Sequence, residues 1–376
     1  LFDIPSFRIG RVFGIPIEVN LSWIVVFALL TASLHSTFLD LPGAHSASSL
    51  ALYLAGAVTA LLFFSSVLAH EVSHSVVTKL EGGSVEKITL FIFGGVAQVE
   101  EEPKTPGREF LMAAAGPGMS VVISGVAFLA YSSVAHRGAP WWVLGPLDYL
   151  ASVNLILAVF NLLPGFPLDG GRVLRSVLWG LTGDLLKATR WATRSGQVIG
   201  WGMVVLSLTA VLNGNTNLVW FGLVGWFIAW LAGASYKQQV VRSSIEGRTA
   251  ESLMSASPEY VSGDLSLERF ADEHLLGGQH TRYPVMDQGA IVGIATMDEL
   301  KRVERTEWPI KRVLDITDRD LGHLAVPHDM PADNVMTRLI GSRTGALIVT
   351  NEGRMVGIVT RADILSAANS GASRQA

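Results

Sequence analysis

Residues 50–74 read LALYLAGAVTALLFFSSVLAHEVSH: twenty uncharged, mostly apolar positions run straight into His70-Glu71-Val72-Ser73-His74. A run of this kind is long enough for one helical passage through a hydrocarbon core. The spacing predicts a span over about 50–80, and five further spans at about 17–38, 109–135, 149–178, 191–211 and 217–237. The fold class follows: an α-helical polytopic membrane protein with six transmembrane helices. Between the second and third spans lies the β-branched and aromatic stretch Ser84–Val99, interrupted at Gly94-Gly95. It is expected to form a small β-hairpin or a re-entrant strand pair.

The whole chain supports this reading. Its 376 residues have a mean hydropathy of +0.41 and only 16% charged side chains, too apolar for a soluble protein of this size. A net charge of −4 argues against nucleic acid as a partner. There is no cysteine, so a transition metal would fall to His and carboxylate. Arg8 and Arg11 precede an apolar run long enough to span, unlike a cleavable leader. The apolar character fills 17–240 and then stops. The expected division is a membrane core at 1–242, a linker at 243–250, two soluble modules at 251–308 and 309–368, and a tail at 369–376. Lys and Arg crowd one side of the spans, with Arg8, Arg11, Lys79, Lys104, Arg172 and Arg190 among them, while the other receives only Arg137. Both termini are therefore expected in the cytoplasm.

On a helix, positions i and i+4 share a face, so His70 and His74 can reach one ion. Glu71, beside the first histidine, can take a proton from an activated water. Ionisable groups at membrane depth are costly, which favours a functional reading over the wet end of a long helix. A third ligand is available in Asn161-Leu-Leu-Pro164-Gly165-Phe166-Pro167-Leu168-Asp169-Gly170-Gly171. Two prolines and three glycines must break the helix there, and broken backbone at membrane depth survives only against protein or water. His70 follows Leu50 by twenty residues, and Asp169 follows Tyr149 by twenty. At 1.5 Å per residue, each lies about 30 Å down its span. A single Zn2+ held by His70, His74 and Asp169 would serve peptide hydrolysis, with Glu71 as acid/base. The Asn161 side-chain amide would be a donor to the oxyanion, with Asn154 read instead as a helix–helix hydrogen bond.

In these two motifs the chain resembles the site-2 protease family of intramembrane metalloproteases. The resemblance covers roughly residues 1–240 and implies zinc, a six-helix core and a membrane-protein substrate whose transmembrane helix is cut in or near the bilayer. It implies His70, His74 and Asp169 as ligands, and Glu71 and Asn161 as catalytic residues. Phe93-Gly94-Gly95 looks family-like too, in a hairpin whose edge could pair with an unwound substrate strand. These three, with Pro164 and Pro167, are the expected substrate contacts. Ala115-Gly116-Pro117-Gly118-Met119-Ser120 resembles a family motif that usually ends in Asn, and is assigned to packing only.

The soluble part contains a repeat. Gly289-Ala-Ile-Val-Gly293-Ile-Ala-Thr296 matches Gly353-Arg-Met-Val-Gly357-Ile-Val-Thr360 at an offset of 64. Each unit reads as helix, strand, strand, helix. The pair resembles a tandem of cystathionine-β-synthase (CBS) modules of α+β type, whose clefts often bind an adenine nucleotide. Thr360 and Asp363, with Thr296 in the weaker cleft, are the corresponding nucleotide-binding positions. A tandem that only forms a homodimer or docks a partner fits the same residues. The expected setting is the lipid bilayer of the prokaryotic plasma membrane. A CBS-regulated transporter or channel, a non-proteolytic helix-binding relative, and a metalloenzyme acting on lipid are the alternative readings.

Overall fold

The computed structural model describes residues 5–91, 94–99, 103–256, 258–275 and 280–372. It divides into two compact units, meeting between Tyr236 and Lys237.

The first unit is built on long helices: α1 (Ser22–Leu39), α2 (Ser49–Leu80), α3 (Pro106–Ala135), α4 (Trp141–Asn161), α5 (Asp169–Thr182), α6 (Leu185–Leu212) and α7 (Val219–Ile245). All but α5 are long and apolar enough to cross a membrane, α7 together with the short turn before it. Their starts are marked locally. The Ser48 and Thr105 side chains accept from Ala51 N and Arg108 N, Pro106 opens α3, and Asp184 accepts from Lys187 N. The outer faces leave Leu29, Val58, Leu129 and Val198 more than half exposed, as lipid-facing side chains are. The protein is a multi-pass membrane protein.

Two expectations change here. The predicted fourth span at 149–178 is instead α4, starting at Trp141, and a separate amphipathic α5. Pro146 and Asp148 look like interruptions in sequence, but Pro146 is buried inside α4, and Gly145 lies against Phe38 and Leu41. The predicted hairpin is half of a four-stranded sheet in the order β1 (Ser6–Val12), β2 (Ile15–Asn20), β3 (Val85–Phe91), β4 (Gly94–Val99). β3 and β4 do pair antiparallel, and β2 runs parallel to β3 with Ile17 opposite Ile88. Ile15, Ile17 and Val19 alternate with Pro16, Glu18 and Asn20, a period of two hidden at the edge of an apolar run. The buried face of this sheet, Ile15, Ile17 and Ile88, packs on Val72 of α2, next to Glu71. On its other surface Glu18 accepts from Lys87 Nζ at 3.0 Å and Ser6 Oγ at 2.8 Å, bonds that hold its carboxyl below the usual range.

The expected linker at 243–250 is partly helical. Ser243 and Ser244 return their hydroxyls to Val240 O and Val241 O within α7, which continues to Ile245 and stops before Gly247 at φ 73°. The second unit has two sheets, β5 (Ser255–Ala256), β11 (Arg354–Thr360), β10 (Ala346–Asn351), β9 (Ala325–Pro327) in that order, and β6 (Val261–Ser262), β7 (Arg282–Asp287), β8 (Ala290–Thr296). The repeat is visible in detail. Gln288-Gly289 and Glu352-Gly353 both have positive φ, as type I′ hairpin turns demand, and both hairpins carry a bulge at the equivalent step. The short parallel strands β6 and β9 were not foreseen. Packing crosses between the expected blocks 251–308 and 309–368. Ala250 and Leu253 pack with Val326, Val349 and Val359, while Val313 packs with Val261, Phe270 and Tyr283. The opening segment of each repeat completes the core of the other.

Candidate metal centre

His70 and His74 stand one turn apart on α2, and Asp169 is the first residue of α5. Asp169 Oδ2 lies 3.2 Å from His70 Nε2 and 3.3 Å from His74 Nε2. One donor atom from each residue lies within 4.8 Å of the others. A tetrahedral ion with bonds of about 2.0–2.1 Å has edges of about 3.3 Å between ligands. The donor set and its spacing therefore fit zinc.

The far side of each imidazole is also held. His74 Nδ1 donates to Met112 O at 2.7 Å, and His70 Nδ1 is 2.9 Å from Ser120 Oγ. The Met112 carbonyl sets the tautomer of His74 and leaves its Nε2 for an ion, and Ser120 orients the His70 ring. Met112 and Ser120 both belong to α3. Between them Gly116 faces both rings, and a Cβ built on it would overlap His70 Nε2 and His74 Nε2. The assignment of Ala115–Ser120 to packing alone is thus corrected. The signal in the sequence was Gly116 and Ser120 on one helical face.

The break before α5 brings the carboxylate in. Phe166 N donates to Ala192 O at 3.1 Å, Ser195 Oγ donates to Pro164 O, and Gly165 packs on Gly196 of α6. Gly170 and Gly171 lie against the backbone of Leu162 and Gly165. These contacts satisfy the non-helical backbone within protein.

A cavity of about 860 Å³ opens on His70, His74 and Asp169. Glu71, Asn161, Pro167 and Gly94–Ala97 of β4 line it, and so does Arg172, whose Nη1 is 3.8 Å from Met112 Sδ. Phe63, Phe64, Trp220 and Phe227 supply apolar wall. Gly95 approaches so closely that a Cβ there would overlap Glu71 Cγ. Asn161 gives one amide hydrogen to Leu157 O at 3.0 Å, which leaves the second. Asn154, wholly buried, bonds within its own helix to Leu150 O instead of across helices. Pro164, expected at the substrate, is exposed and turned to α6 through its carbonyl. Phe93 lies outside the described residues. Thr296 and Thr360 cap helices: Thr296 Oγ1 accepts from Glu299 N at 3.2 Å, and Asp363 Oδ2 accepts from Thr360 N at 2.8 Å and Thr360 Oγ1 at 2.6 Å.

The sequence profile of Peptidase family M50 matches residues 58–136 and 136–203, and that of the CBS domain matches 250–305 and 313–370. A protein of Synechocystis named as a zinc metalloprotease is 32% identical over 366 residues, 96% of this chain and 94% of its own. This chain belongs to peptidase family M50, the site-2 proteases. A second relative named as a zinc metalloprotease, Rip3 of Mycobacterium tuberculosis, is 35% identical over 363 residues, 95% of this chain and 91% of its own. Among solved structures, the site-2 protease from Methanocaldococcus jannaschii matches 61% of this chain and 94% of that chain, with 30% identity and a TM-score of 0.41. The M50 chain is a zinc metalloprotease, and it carries two CBS domains at its C-terminal end.

Proposed function

We propose that this M50 protease hydrolyses peptide bonds within or beside transmembrane segments of membrane-protein substrates, at a zinc ion held by His70, His74 and Asp169. The observation that carries the reading is the convergence of two imidazoles from α2 and a carboxylate from α5 on a cavity with apolar walls. The ion, when bound, acidifies water toward neutral pH and polarises a carbonyl. Glu71 takes the water proton on its carboxylate and delivers it to the departing amide nitrogen. Asn161 Nδ2 turns its remaining hydrogen toward the substrate carbonyl oxygen. A helical peptide bond is shielded by its own hydrogen bonds, so the substrate must be unwound. β4, at the edge of its sheet and along the cavity, offers backbone groups to such a strand.

Both termini face the cytoplasm in this reading, in the prokaryotic plasma membrane, because the cationic residues gather at one end of the spans. The CBS tandem responds to an adenine nucleotide or pairs two copies of the chain. Equal cleavage by the whole protein and by one lacking residues 245–376, across ATP, ADP and AMP, would remove the regulatory idea. The decisive test of the protease reading is Glu71→Gln. It should keep zinc and fold, and lower cleavage about 10²–10⁴-fold. Cleavage at the normal rate would overturn the mechanism.

A further inference from the structure

Glu109 on α3 and Arg175 on α5 form an ion pair in the interior, with 1% and 5% of their surfaces exposed. Arg175 Nε donates to Glu109 Oε1 at 2.5 Å, and Nη2 reaches the same oxygen. The guanidinium carbon sits 5.1 Å from the Phe166 ring centroid. A buried ion pair contributes little net stability, since apolar residues of similar volume often do as well. Its directional bonds fix geometry instead.

The two residues occupy telling places. Glu109 is one turn before Met112, whose carbonyl holds His74, and two turns before Gly116, which faces both imidazoles. Arg175 follows Asp169 by six residues on α5 and covers Phe166 in the break that leads to Asp169. The helix that seats the histidines is thereby tied to the helix that carries the carboxylate.

We infer that Glu109 and Arg175 are positioning residues that set the reach of Asp169 to His70 and His74. A constellation of this kind must be held to about 0.5 Å, and a guanidinium that directs two N–H groups at one buried carboxylate oxygen and lies over an aromatic ring provides that constraint. The inference rests on the metal reading above.

Two variants of the full-length protein in detergent test it, each decisive alone. Arg175→Lys keeps the charge and loses the paired N–H groups on Glu109 Oε1. The double variant Glu109→Leu with Arg175→Met replaces the pair by apolar volume. Zinc affinity is measured by chelator competition, ligand geometry by the visible spectrum of the Co2+-substituted protein, and fold by thermal unfolding. The expected result is near-normal unfolding with zinc affinity reduced about 10- to 100-fold and altered Co2+ bands. Zinc affinity and Co2+ bands like those of the unaltered protein in either variant would overturn the inference while leaving the metal reading standing. Failure of the unaltered protein to bind one Zn2+ or Co2+ would overturn both.

Discussion

Gly116 of α3 lies against the Nε2 atom of His74 on α2, in space that any larger residue would fill. Helix propensity favours alanine over glycine by about 1 kcal/mol. Gly116→Ala should nevertheless lower zinc affinity by more than about tenfold, or about 1.4 kcal/mol. Chelator competition on folded protein checks this, and unchanged affinity would show that the rings sit elsewhere.

Ser120 is wholly buried and meets His70 Nδ1. Removing the hydroxyl frees that ring to turn. Ser120→Ala should cost about 10- to 100-fold in metal affinity or activity, as loss of an outer partner does. Equal zinc binding and equal turnover would assign Ser120 to packing after all.

Asp169 and Glu71 should separate cleanly. Asp169→Ala removes a donor, so the purified protein should lose its zinc to mild chelation, whereas Glu71→Gln retains it. Metal content after dialysis distinguishes the two. Zinc retained equally by both would break the ligand assignment.

Gly95 allows β4 to touch Glu71. Gly95→Ala should push the carboxylate aside and lower kcat roughly 100-fold, the scale of a 1 Å misplacement, with zinc retained. A change confined to KM would mean that β4 serves substrate binding alone.

Lys87 and Ser6 hold the Glu18 carboxyl below its ordinary value of 4.5. A depressed carboxylate contributes stability that is present above that ordinary value and is lost as pH falls through the lower folded-state value. Protection of the β2 and β3 amides, corrected for intrinsic exchange, should therefore fall as the medium is acidified below 4.5. Glu18→Gln should flatten the dependence. The same acid response in that variant would assign it to another group.

Much of this protein was written locally. The apolar runs identified the spans because a hydrocarbon core asks only for length and hydropathy. His70, Glu71 and His74 were legible because one helix turn places i and i+4 together. Pro164, Gly165 and Pro167 announced a break, and Gly289 and Gly353 announced two hairpins, because each constrains its own backbone. The short strands β2, β6 and β9 escaped because strands further along the chain decide them, and β1 is set by β2, its partner across the Phe13-Gly14 turn.

What the amino-acid order determined alone was the presence of six apolar spans, the two histidines and the candidate carboxylate, with α4 and α5 run together as one span. Only the packed structure decided that α5 begins at Asp169, that Gly116 leaves room beside the imidazoles, and that Ser120 and Met112 hold their far sides. Those relations depend on close contact between segments up to 99 residues apart, as His70 and Asp169 are. Sequence periodicity describes the face a residue presents. Which other face it meets is settled by how the helices pack.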